Sequence, residues 1–228
     1  MIMKIPVIDD RLYLAASFVR EGGTVADIGT DHAYIPIYLI NTDRVLHAIA
    51  SDVNEGPLKR AEENARRYGA EGDITFALAD GLSGLPLEEK GVIDIVICGM
   101  GGELIAKIID GSDYVKKEGV RLILQPMTKP EALRKYLSEK GFREIDGGIA
   151  VVDKVYQCIV CEYTGESYAL TEGELYVGQT EGIRNSENFP LIAEKYISAA
   201  KKRLMGPEKN EAEALIRELL QMIEKGRM

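Results

Sequence analysis

The 228-residue chain has no tryptophan, four phenylalanines, two histidines and three cysteines. So few cysteines cannot crosslink a small oxidised scaffold, and the fold must rest on a hydrophobic core. Cys158 and Cys161 have C-x-x-C spacing, but they lie in Val155-Tyr-Gln-Cys-Ile-Val-Cys-Glu-Tyr163. That run reads as a strand, where residues three apart face opposite sides, so the two thiols are read as small packed hydrophobes. With only His32 and His47 to add, no metal site is expected. No apolar run approaches the ~18 residues of a membrane span, and no basic start leads into an apolar core. Neither anchor nor signal peptide is therefore expected, and a cytoplasmic location is. The chain also lacks positive charge: its net charge is −9, which excludes nucleic-acid binding driven by overall charge. The deficit is uneven, since residues 171–228 carry a net −1 and the rest −8. Within that near-neutral tail, Lys201-Lys202-Arg203 reads as a solvated helix face, with phosphate contact as the alternative.

Hydrophobic residues at 46% and charged residues at 29% suit an α/β domain, placed at residues 1–163, with a smaller unit at 164–228. Asp9-Asp10 opens a helix with Leu12, Ala16 and Val19 at helical spacing, closed by Gly22-Gly23. Strand-like and helix-like runs then alternate. Strand Thr24–Ile28 precedes a helix from about His32, Val45–Val53 precedes one from Pro57, and Ile74–Leu78 precedes a loop. Strand Ile93–Cys98 leads to helix Glu103–Ile109, and Val120–Leu124 to helix Glu131–Glu139. Such alternation predicts a parallel sheet covered on both faces. Arg143–Val152 and Lys154–Tyr163 follow with no helix between them, so they should pair as a hairpin. The expected fold is Rossmann-like: a mainly parallel seven-stranded sheet whose last strand is antiparallel, as in class I methyltransferases. Glu162–Asn188, rich in Gly, Glu, Thr and Ser, reads as a linker or loosely attached segment. Leu191–Leu204 and Glu208–Lys225, parted by Gly206-Pro207, predict a C-terminal helical hairpin.

The chemistry concentrates at strand ends. The first strand runs into Asp27-Ile-Gly-Thr-Asp-His-Ala-Tyr34, which joins an acidic residue, one glycine and an opening helix. Asp31 stands where a dinucleotide fingerprint needs its second glycine, which disfavours that class. An adenosyl cofactor fits better. Gly29 lets the main chain approach, and the nearby helix start with His32 can receive a carboxylate. Asp27 can bind an amino group. Asp52, with Val53, ends the second strand 25 positions later, near the interval at which a carboxylate meets ribose hydroxyls. Asp80-Gly81-Leu82 ends the third strand and suits adenine. One such Asp is usually a loop residue, but three in register predict an adenosyl site. Gly99-Met-Gly-Gly102, after the fourth strand, brings main-chain carbonyls and donors to the same edge.

These motifs resemble the bacterial tRNA (adenine-N1)-methyltransferases that modify adenine 22, the TrmK family. The resemblance rests on Arg11-Leu12, Asp27-Ile-Gly-Thr-Asp-His-Ala-Tyr-Ile-Pro36, Asn54-Glu-Gly-Pro57, Asp80-Gly-Leu82, Gly99-Met-Gly-Gly102 with Leu104-Ile105, and Leu122-Ile-Leu-Gln-Pro126. It spans most of residues 8–163. It weakens in the tail to Gly178 after a Glu-Leu-Tyr strand and a hairpin similar to the family's coiled-coil appendage. The resemblance implies S-adenosyl-L-methionine as cofactor and methyl transfer to adenine N1 in tRNA; the sequence does not report oligomeric state, and a monomer is favoured. Tyr34 and Met100 are then candidate walls of the base pocket, Asp31 a stabiliser of developing charge, and the hairpin tail and first helix holders of the tRNA body. Two positions depart from the family: Asp52, where Glu is common, and Met127, where Asn often follows Gln-Pro. The alternatives are a methyltransferase for another RNA, a protein or a small molecule, and a non-catalytic cofactor- or RNA-binding protein.

Overall fold

The computed structural model describes residues 4–225. In chain order its main elements begin α1 (Asp10–Ser17), β1 (Thr24–Ile28), α2 (Tyr34–Asn41), β2 (His47–Asp52), α3 (Glu55–Tyr68) and β3 (Ile74–Leu78). They continue with β4 (Val92–Gly101), α4 (Gly102–Asp110), β5 (Arg121–Thr128), α5 (Pro130–Glu139), β6 (Phe142–Val151) and β7 (Val155–Tyr163). The tail holds α6 (Glu172–Val177), α7 (Glu181–Arg184), α8 (Phe189–Lys201) and α9 (Lys209–Lys225). The seven strands form one sheet in the order β3-β2-β1-β4-β5-β7-β6. The strands from β3 to β5 run parallel, and β7 lies antiparallel between β5 and β6. The antiparallel strand is thus last in the chain but not at the sheet edge.

Period-two alternation builds a core on each face. Val25, Ala48, Val96, Ile123 and Cys158 pack under α1, α2 and α3. Ala26, Ile49, Ile95, Leu122 and Cys161 pack under α4 and α5. Cys158 and Cys161 therefore lie on opposite faces of β7, as their spacing on a strand requires. Both are free, and desolvation raises both thiols above the ordinary range.

Several boundaries differ from the sequence reading, each for a local reason. The second helix starts at Tyr34 because Ala33 adopts a left-handed conformation, φ 52°. The α3 helix starts at Glu55, so Pro57 is its third residue. The β4 strand continues past Cys98 to Gly101 because β5 runs alongside it: Met100 pairs with Pro126 and Gly101 with Thr128, with breaks in register on either side of Met100.

The largest correction concerns Glu162–Asn188, which is no loose linker. Thr171 and Glu174 make a reciprocal capping box that starts α6, so Glu-Leu-Tyr before Gly178 is helical. Val177 and Ile183 are fully buried with Phe189, Ile192, Ala212, Leu215 and Leu219 of the helical hairpin. Glu218 of α9 reaches back to Thr171 and accepts the Gly173 N–H at 2.9 Å.

A buried polar cluster ties this tail to the sheet. Arg134 of α5, 1% exposed, grips Glu144 of β6 through Nε and Nη2 at 2.9 and 3.2 Å. Its Nη1 donates to Gln157 of β7 at 2.7 Å and to the Tyr176 carbonyl of α6 at 3.2 Å. Gln157 in turn donates to that carbonyl and to the Tyr196 hydroxyl of α8, both at 3.0 Å. Five elements thus share one guanidinium and one amide.

Candidate active site

The loop after β1 is set by Gly29, whose φ of 77° suits a residue without a Cβ. The Met100 side chain lies against Gly29 and leaves no room for one. The N–H groups of Gly29 and Thr30 both donate to the Ser51 carbonyl at 2.8 Å. These two donors are therefore spent inside the sheet and are not free to receive a carboxylate. From α3, Arg60 pairs with Asp31 at 2.6 Å and Asn64 donates to the His32 carbonyl at 3.1 Å. The His32 ring stacks on Tyr34, with centroids 5.3 Å apart, and makes a small aromatic shelf. The Asp31 carboxylate is thus partly neutralised at the mouth of the site.

Two cavities meet at Gly29. The smaller, about 150 Å³, is bounded by Asp52, Val53, Asp80, Gly81, Met100 and Leu104. Asp52 accepts the Asn54 N–H at 2.8 Å through one oxygen. The larger, about 420 Å³, is bounded by Asp9, Arg11, Asp27, Thr30, Asp31, His32, Tyr34, Cys98 and Gly99. Leu82 is buried and faces a third hollow beside Asp80 and Lys107. The three strand-end carboxylates do converge, with Asp27 in the larger cavity and Asp52 and Asp80 in the smaller. Tyr34 and Met100, expected to wall one pocket together, line different cavities.

Asp27 is the electrostatic centre. It is buried, and no cation pairs with it among the described residues. Desolvation, joined by the charge of Asp52, raises its carboxyl to about 6. The Thr30 hydroxyl is buried beside it and opposes this rise. A buried carboxyl without a cation, beside a glycine at close approach, fits an adenosyl amino acid, with its ammonium at Asp27 and its ribose at Asp52. Cys98 lines the same cavity, but desolvation keeps its thiol well above the ordinary range and hence protonated.

A model of a methyltransferase domain matches residues 8–159. The tRNA (adenine(22)-N(1))-methyltransferase of Bacillus subtilis is 34% identical over 165 residues, covering 72% of this chain and 68% of that protein. The chain belongs to this tRNA methyltransferase family, TrmK. A solved structure of a Streptococcus pneumoniae candidate tRNA (m1A22) methyltransferase, in complex with S-adenosyl-L-methionine, superposes with a TM-score of 0.81 at 32% identity. It covers 95% of this chain and 99% of that one. The crystal structure of Bacillus subtilis TrmK gives 0.75 at 26% identity, covering 98% of each chain. The likeness of fold therefore extends over the C-terminal helices, beyond the match to the TrmK catalytic domain.

For a TrmK protein, two residues of this site had no role readable from the sequence. Gln125, fully buried on β5, accepts the Gly99 N–H at 3.2 Å and Arg11 Nη1 at 2.9 Å through one side-chain oxygen. Its amide nitrogen donates to the Pro126 carbonyl at 3.2 Å. A side-chain carbonyl thus replaces a ladder partner at the break after Cys98 and holds Gly99 at φ 80°. Arg11 is carried from α1 onto this turn, with Asp9 at 3.6 Å and the Tyr156 ring at 5.7 Å. The usable signal was the Gln-Pro pair at a strand end, opposite a glycine turn.

Proposed function

We propose that this protein transfers a methyl group from S-adenosyl-L-methionine to N1 of adenine 22 in tRNA, in the cytoplasm and as a monomer. The observation that carries the reading is Asp27, a buried carboxylate without a cation at the carboxyl edge of the sheet, in a chain of the TrmK family. In this reading Asp27 holds the cofactor's ammonium and Asp52 its ribose, while Asp80 and Gly81 hold its adenine. Val53 and Leu82 lie beside these groups. Met100 packs over Gly29 on the cofactor side and is no longer assigned to the base.

The cofactor supplies an electrophilic methyl on a sulfonium. Adenine N1 has a free lone pair, so it forms the new N–C bond without a base to activate it, and sulfur keeps the electrons of the bond that breaks. The protein's task is placement. The His32–Tyr34 shelf receives the flipped base, and carbonyls of the Gly99–Gly102 turn take the exocyclic amine, which becomes more acidic as N1 gains charge. The protonated Cys98 thiol takes no nucleophilic part. Asp31, shared with Arg60, moderates the positive charge of the methylated base. Residues 1–163 are the catalytic domain in this reading, and 164–228 hold the tRNA body.

Methyl transfer from labelled cofactor to unmodified tRNA tests the assignment. One methyl per tRNA, mapped to adenine 22 and absent when guanine replaces that base, is the expected result. Equal transfer to the guanine variant overturns it.

A further inference from the structure

The turn after β5 is held in a conformation that its sequence disfavours. A lysine before a proline belongs in the extended region, yet Lys129, followed by Pro130, sits in the left-handed region at φ 53° and ψ 48°. Its surroundings impose this. The Lys129 carbonyl lies against Gly102, where a Cβ would collide with it, and accepts the Leu133 N–H at 3.3 Å. Thr128 pairs with Gly101 just before it. Strain of this kind gathers at positions that serve a ligand. Here it accompanies three exposed residues, Met127, Thr128 and Lys129, between buried Pro126 and buried Pro130. Met127 is 39% exposed, and its sulfur is 3.7 Å from the amide nitrogen of Gln125. The oxygen of that amide holds Gly99 and Arg11, both on the wall of the larger cavity. Met127 therefore stands one side chain away from that cavity, at its rim. Lys129 pairs with Glu103 at 2.7 Å, and the two side chains are 55% and 63% exposed. A pair this exposed contributes little to stability, so the ammonium can change partner.

We propose that the Met127–Lys129 turn seats the target nucleotide: Met127 covers the face of the extruded base opposite the His32–Tyr34 shelf, and Lys129 leaves Glu103 for the phosphate beside that base. This rests on the tRNA reading above and adds the groups that take hold of the nucleotide. A thioether is flexible and polarisable, which suits a flat heteroaromatic face. An extruded base loses its stacking neighbours while its phosphate stays attached, so it needs an apolar cover and a cation close together. Neither residue lines the two cavities that meet at Gly29, so cofactor binding should not depend on them.

Steady-state methylation of unmodified tRNA by the full chain tests this, with calorimetry of S-adenosylhomocysteine, the demethylated cofactor, on the same variants. Met127→Ala should lower kcat/KM for tRNA roughly 10-fold, the size of a lost apolar contact in a pocket, and Met127→Leu should recover most of the loss. Lys129→Gln should raise KM for tRNA and reduce the slope of log KM against log salt by about one, and Lys129→Arg should restore both. Lys129→Gly takes up the left-handed conformation without strain. It should not lower the melting temperature, yet it should raise KM as the Gln variant does, which separates a ligand contact from a part of the scaffold. S-adenosylhomocysteine affinity should keep its parental value throughout, and that also certifies folding. Parental tRNA constants in either Met127→Ala or Lys129→Gln overturn the inference, as does a loss of S-adenosylhomocysteine affinity equal to the loss in kcat/KM. If the unaltered protein binds S-adenosylhomocysteine but moves no methyl to tRNA, the tRNA reading itself falls.

Discussion

Asp27 and Glu144 are carboxylates buried to nearly the same depth, 6% and 5% exposed, and the protein treats them in opposite ways. Glu144 receives both arms of a fork from Arg134, whose Nη1 donates to Gln157 and to the Tyr176 carbonyl. Asp27 is given no cation among the described residues, and only the Thr30 hydroxyl opposes the rise that burial imposes on it. A fully satisfied cluster has nothing to offer a ligand and everything to offer rigidity. An unsatisfied one costs stability until a ligand of the right charge arrives. Depth alone therefore does not separate a structural carboxylate from a binding one; the completeness of its partners does.

Removing one partner at the closed site should have the largest effect on stability. Arg134→Met strands Glu144 without its cation and frees the Tyr176 carbonyl, and should cost about 3–5 kcal/mol in denaturant unfolding. The double variant Arg134→Met, Glu144→Met should recover part of this, because no charge is left buried alone. If both variants unfold together with the parent, the cluster is not what joins the tail to the sheet.

At the open site the same kind of change should act in the opposite direction. Asp27 sits near 6 against an ordinary 3.8, so the unfolded chain gives up this proton first. The group's contribution to stability is complete below 3.8, is lost as pH rises through about 6, and is still lost at neutral pH. Asp27→Asn should therefore raise the melting temperature of the ligand-free protein at pH 7.5, by a stabilisation of about 1–3 kcal/mol, and not at pH 4. It should also abolish most of the affinity for S-adenosylhomocysteine. The unaltered protein should lose that affinity as pH falls below about 6, while binding of 5′-deoxy-5′-methylthioadenosine, which lacks the amino-acid tail, stays flat. A pH-independent affinity ratio would remove Asp27 from the ammonium site.

The smallest effect belongs to a contact midway between the two sites in character, partly exposed and partly satisfied. Glu218→Gln weakens the grip on Thr171 and on the Gly173 N–H and should cost about 1 kcal/mol. Faster hydrogen exchange confined to α6 would register it.

The open site was more legible in the sequence than the closed one. Asp27, Asp52 and Asp80 could be placed because each closes a strand-like run, and strand ends share one edge of a parallel sheet. The faces of Cys158 and Cys161 followed from period two alone. Arg134 could not be read, since Leu133-Arg134 within a helix looks like an ordinary amphipathic boundary. Its partners Glu144, Gln157 and Tyr176 lie on three other elements, and no local pattern joins them. The α6 and α7 helices were missed because Gly, Glu and Thr suggest a loop, while the stabilising contacts come from α9 and β6. Met100 was expected to share a pocket with Tyr34 because the strand was expected to stop at Cys98, whereas pairing with β5 carries it on to Gly101 and Met100 lines the smaller cavity.

The place of β7 sets an order of events for the newly made chain. Six consecutive residues, Tyr156–Cys161, are buried on both faces, and the strand is wedged between two that precede it in sequence. Until it leaves the ribosome, β5 and β6 each present a bare edge, a known invitation to mispairing. The same strand brings Gln157, without which the carbonyl of Tyr176 and the hydroxyl of Tyr196 each lose a donor. Completion of the sheet and docking of the tail are thus one late, shared step, and the adenosyl end of the molecule, built from β1 to β4, can be shaped before it.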